Sequence, residues 1–100
     1  MEIKEMQLKT NKIIDDIDKR MKGIHDTDTT IIHLSEEFEE ISRQIYNQKI
    51  GRDNLDRKNM AEEIADVMML LNKLATLHDI DVEKALIEKM DVLRKRHNLK

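Results

Sequence analysis

Glu62-Glu63-Ile64-Ala65-Asp66-Val67-Met68-Met69-Leu70-Leu71-Asn72-Lys73-Leu74-Ala75 is the stretch that decides the fold. Ile64, Val67, Met68, Leu71 and Leu74 recur at intervals of three and four, the period of a helix and not of a strand. Met69, Leu70 and Leu77 widen the apolar stripe, so this helix, predicted to run to about residue 77, should be buried on more than one side. It is expected to be a central element or to lie at a subunit interface. Glu63 and Asp66 stand three apart on the same helix and so project from neighbouring positions of one face.

Working outward, Asn59 followed by Glu62 resembles a capping box in which Asn replaces the usual Ser or Thr, and it sets the expected start of this third helix. Residues 47–58, with Gly51 and six charged residues, break the periodicity and read as the longest loop, a candidate mobile lid. Before it, a second helix is predicted from near Asp28 or Thr29, with Ile31, Leu34, Phe38, Ile41 and Ile45 on its apolar side and Phe38 in the core. A first helix over about 2–22 presents Ile3, Met6, Ile13, Ile14, Ile17 and Met21 and is ended by Gly23. On the other side, residues 79–81 form a tight connection with Asp81 as N-cap, and Val82, Ala85, Leu86, Met90 and Leu93 line a last helix packed antiparallel to the third. The fold class is all-α: a four-helix bundle in one domain over residues 1–100.

Composition agrees. The chain has 100 residues, 39% of them charged, with no proline and two glycines. The absence of cysteine excludes disulfides and zinc fingers. Residues 1–10 carry no signal-peptide core, and the longest apolar run, residues 67–71, is far too short to span a bilayer, so a soluble cytoplasmic protein without membrane partners is expected. A net charge of -3 with interleaved signs lacks the positive face of a nucleic-acid binder. Only Arg94, Lys95, Arg96, His97 and Lys100 form a basic tail, suited to a helix C-terminus or to phosphate.

A second acidic pair lies in Glu36-Glu37-Phe38-Glu39-Glu40-Ile41. At about 100° per residue, Glu37 and Glu63 each fall roughly 70° from the centre of their apolar stripes, bordering the core, with Glu40 and Asp66 further round and Glu39 and Glu62 facing solvent. Four carboxylates from two facing helices suit a hard cation, Mg²⁺ or Mn²⁺, which in turn engages phosphates. The spacing alone is common, since Glu2 with Glu5, Asp15 with Asp18, Asp53 with Asp56 and Glu88 with Asp91 repeat it and read as solvated faces. Converging carboxylates need either bound protons or a cation. His25, His78 and His97 show no ligand spacing and read as surface or helix-end residues, and the seven methionines read as gap-filling core.

The two acidic motifs, the apolar run after the second, Ile80-Asp81-Val82 and Ala85-Leu86-Ile87-Glu88-Lys89-Met90 fall in an order that resembles the MazG-like all-α nucleoside triphosphate pyrophosphohydrolases, over roughly residues 29–96. The resemblance implies Glu37, Glu40, Glu63 and Asp66 as magnesium ligands and cleavage of a nucleoside triphosphate between the α and β phosphates. Glu36 or another flanking carboxylate is the candidate to take the proton of the attacking water, and the catalytic set is Glu36, Glu37 and Lys89. Lys89 matches a family lysine that steadies phosphate, and Arg94 could assist; Leu93 departs from the family pattern, which often has asparagine there. For base or sugar contact the candidates are His33 and Tyr46, in a chain without tryptophan. A homodimer or homotetramer built through the third helix completes the expectation. Two other readings stay open: a non-catalytic helical homo-oligomeric interaction protein, and a phosphoribosyl-ATP pyrophosphohydrolase.

Overall fold

Aspartates start three of the four helices. In the computed structural model, which describes residues 2–100, Asp26, Asp56 and Asp81 are the N-caps of α2 (Thr27–Lys49), α3 (Arg57–Leu77) and α4 (Val82–Arg96). Each carboxylate accepts from the backbone N–H three residues on, at Thr29, Asn59 and Lys84, satisfying donors that a helix start leaves unpaired. At Asp26 the box is reciprocal, because the Thr29 hydroxyl accepts the Asp26 N–H at 2.9 Å. These hydrogen bonds hold the Asp26 carboxyl below its ordinary pKa. The expected Asn59 box is therefore corrected: Asn59 is the third residue inside α3, and its N–H is the group being capped.

Three helices close with a residue in the left-handed region, Lys22 (φ 55°), Asp79 (φ 55°) and Asn98 (φ 54°). In each case the next residue's N–H returns to the helix: Gly23 to Asp18, Ile80 to Ala75 and Leu99 to Arg94. Lys22, not Gly23, takes the left-handed conformation that ends α1 (Ile3–Met21). The connection between α2 and α3 is shorter than 47–58, because α2 continues to Lys49; the Arg52 and Asp53 N–H groups then fold back onto the Asn47 carbonyl.

No strand occurs among the described residues, and no helix is long and apolar enough to cross a membrane. α3 is central, with α2 packed along one side and α1 along another. The α1–α3 contact is polar. Gln7 and Asn11 are buried and both donate to the Thr76 hydroxyl, at 3.0 and 2.6 Å, while Asn72 donates to Thr10 and Lys73 pairs with Asp15 at 2.8 Å. Gln7 also bonds the Ile80 carbonyl and the Val82 N–H, fastening the start of α4 to α1. α4 thus packs mainly on α1 and is not the antiparallel neighbour of α3 that its short connection suggests.

Of the large apolar side chains, Ile14 and Leu70 are the buried ones among the described residues. The expected stripe of α1 is exposed except for Ile14; Met6, Met21, Met68 and Met90 are exposed too, which corrects their assignment to a core. Phe38, placed in the core by periodicity, is 61% exposed. The radius of gyration is 16.3 Å, against about 13 Å for a compact chain of this length.

Candidate metal centre

Packing of α2 against α3 brings the acidic motifs face to face. One carboxylate oxygen from each of Glu37, Glu63 and Asp66 lies within 4.8 Å of the others. Glu37 and Glu63 are half-buried at the edge of the helix interface, Asp66 is exposed, and Glu39 and Glu62 face solvent, as their angular positions predict. Glu40, one turn after Glu37, is exposed and stands outside that trio, near enough to Glu63 for its own proton affinity to be raised.

Crowding marks the electrostatics. A carboxyl–carboxyl hydrogen bond to Glu37, with burial behind it, pushes the Glu63 pKa up, and the like charges of Glu37 and Asp66 add to the effect. A hydrogen bond to Glu63, followed by that group's charge, pushes Glu40 up as well. Without a cation, carboxylates gathered this closely favour the protonated form of some of their number. Glu63 Oε2 is buried without a hydrogen-bond partner. A buried carboxylate oxygen with no donor, among oxygens of two other acids, fits a hard divalent cation, which takes oxygen ligands and offsets their charge.

Beside the cluster opens a cavity of about 210 Å³ between α1, α2 and α3. Ile14, Ile17, Met69 and Leu70 form its apolar wall, and Asp18, His25, His33, Glu37 and Asp66 its polar edge. His33 lies one turn before Glu37 and approaches it, Nε2 to Oε1, at 3.3 Å. His25 is not a surface residue: its side chain is 18% exposed and bridges Asp18 and His33. Its role escaped the sequence because nothing in its spacing shows that the turn after α1 folds back over α2.

The family model described as the MazG nucleotide pyrophosphohydrolase domain matches residues 25–99. The chain belongs to the MazG family. Neither the comparison with curated proteins nor that with solved structures gave a match. The matched segment contains both acidic motifs and all of α2, α3 and α4, and leaves α1 outside it.

The remaining candidates are spread more widely in this MazG chain. Glu36 is exposed next to Glu37. Tyr46 is exposed on α2, about 13 Å along the axis from Glu37 at the helical rise, and is not part of the cavity wall. Lys89 and Arg94 lie on α4, exposed, and neither lines that cavity.

Proposed function

We propose that this protein is a Mg²⁺-dependent nucleoside triphosphate pyrophosphohydrolase, cleaving NTP or dNTP between the α and β phosphates to the monophosphate and pyrophosphate. The observation that carries the reading is the convergence of Glu37, Glu63 and Asp66, with Glu40 alongside, at the mouth of a partly apolar cavity. Mn²⁺ is an acceptable substitute for such an oxygen donor set. When bound, the cation offsets triphosphate charge and polarises the phosphoryl oxygens toward in-line attack.

Glu37, Glu40, Glu63 and Asp66 are the ligands in this reading, and with the Glu63 and Glu40 pKa values raised, a cation competes with protons for those two carboxylates. Glu36 accepts the proton of the attacking water from its exposed place beside Glu37. His33 lies on the cavity edge, where it can meet the sugar or base, and Ile14, Ile17, Met69 and Leu70 offer the base an apolar wall. Tyr46 remains a candidate for the same contact from a neighbouring copy. Lys89 serves the phosphates as a point charge and Arg94 as a planar fork of donors, both brought there by the α4 of a second chain.

That assembly is a homodimer or homotetramer. Most large apolar side chains of the described residues stay exposed, and a partner copy would bury part of that surface. The apolar groove of Leu34, Phe38, Val67 and Leu71 along α2 and α3 is the face we assign to the partner copy.

Two isosteric variants test the chemistry. Glu37→Gln and Asp66→Asn should each lower turnover by more than the ~100-fold that loss of an outer partner of a metal ligand costs, with helicity by circular dichroism unchanged. Wild-type turnover in both would remove these residues from the reaction.

A further inference from the structure

We propose that Asp18 and His25 are positioning residues for Glu37, acting on it through His33. The inference rests on reading Glu37 as a metal ligand, and deepens it. Three contacts run in series: both Asp18 carboxylate oxygens lie 2.9 Å from His25 Nδ1, His25 Nε2 lies 3.2 Å from His33 Nδ1, and His33 Nε2 lies 3.3 Å from Glu37 Oε1. The rings meet through their nitrogens and do not stack flat; their centroids are 5.5 Å apart at an interplanar angle of 31°.

Each link is held by the one before it. The Asp18 carbonyl accepts the Gly23 N–H at 2.9 Å, closing the last turn of α1, and a Cβ at Gly23 would come within 3.3 Å of Asp18 Oδ1. The absence of a side chain at Gly23 leaves that carboxylate its place. The contact with Asp18 orients the His25 ring through Nδ1 and presents Nε2 to His33. Asp18, His25 and Glu37 are each less than a fifth exposed at the side chain and His33 is 44% exposed, so water competes weakly at the Asp18–His25 end of the series. A glutamate side chain has several freely rotating bonds. With Oε1 against a ring that is itself held by His25, Glu37 has fewer arrangements in which to present its carboxylate to Glu63 and Asp66.

This is the outer support of a metal site with the usual roles exchanged: the carboxylate is the ligand and the imidazole stands behind it. Its anchor, Asp18, precedes the family match at residues 25–99, so the device belongs to the N-terminal helix of this chain and gives α1 a part in the centre.

The competing role is a brace for the α1–α2 turn. Mn²⁺ affinity, read without nucleotide from the electron paramagnetic resonance signal of the free ion, separates the two. Asp18→Asn and His25→Ala should weaken Mn²⁺ binding by about 10–100-fold, with melting temperatures near wild type. His25→Asn keeps a donor for Asp18 but is too short to reach His33, and should weaken binding as much as His25→Ala. Asp15→Asn breaks the α1–α3 pair with Lys73 one turn away and should leave the affinity unchanged. Wild-type affinity in Asp18→Asn or His25→Asn overturns the proposal, as does an equal loss in Asp15→Asn. A wild-type protein that binds no Mn²⁺ at all overturns the metal centre itself, and that result is seen before any variant is compared.

Discussion

Glu63 concentrates the conflict in the cluster, with Glu37, Glu40 and Asp66 around it and one oxygen buried without a donor. The sign of its linkage to stability follows from the raised pKa. In the unfolded chain Glu63 and Glu40 titrate near the ordinary value of 4.5. Folded, they keep their protons to higher pH, so between 4.5 and the raised values the folded state binds more protons and stability falls as pH rises. Below that window both states are protonated and the effect vanishes. Asp26 has the opposite sign: its depressed pKa adds stability above 3.8 that is lost as pH falls through the lower folded value, outside the window of the cluster. In urea titrations with chelator present, the contribution of the cluster is the difference between wild type and Glu63→Gln. Wild type should lose stability relative to that variant as pH rises from 4.5 to neutrality, and Mg²⁺ should reverse the difference at neutral pH. A difference independent of both pH and Mg²⁺ would show that the carboxylates do not interact.

At the scale of elements, the helices were legible because apolar recurrence at three and four residues is a local property, and Asp81 was legible as a cap because it stands alone before its helix. Asn59 misled because the rule is satisfied by residue type, whereas the structure chooses Asp56, whose charged oxygen takes the Asn59 N–H at 3.1 Å. Asp56→Ala should therefore cost about 1 kcal/mol, and Asn59→Ala clearly less; equal costs in chemical denaturation would favour the Asn59 cap. The buried side of α1 was not legible at all. Periodicity counts apolar residues and selects Ile3, Met6, Ile13 and Ile17, yet the face against α3 is Gln7, Asn11 and Ile14, joined by hydrogen bonds to Thr76 that hydropathy does not register. The acidic pairs were readable from helical angle. The link from Asp18 through His25 to His33 was not, since it depends on how a turn folds back.

At the scale of the whole molecule, apolar surface left open on every helix explains why single-chain periodicity overestimated the core. Phe38, Leu71 and Met68 satisfy a helical stripe but face outward, and the second copy proposed above would give them a buried environment. Sedimentation velocity should show a dimer or tetramer, and Phe38→Glu should shift it toward monomer and lower the melting temperature; a monomeric wild type would contradict the assembly. The central claim concerns the reaction, and product identity tests it most directly. The purified protein is incubated with a panel of NTPs and dNTPs, with and without Mg²⁺, and the products are separated by chromatography. Monophosphate and pyrophosphate in equal amounts, formed only with the metal, is the predicted result. Nucleoside diphosphate and orthophosphate, or cleavage indifferent to Mg²⁺, would contradict it.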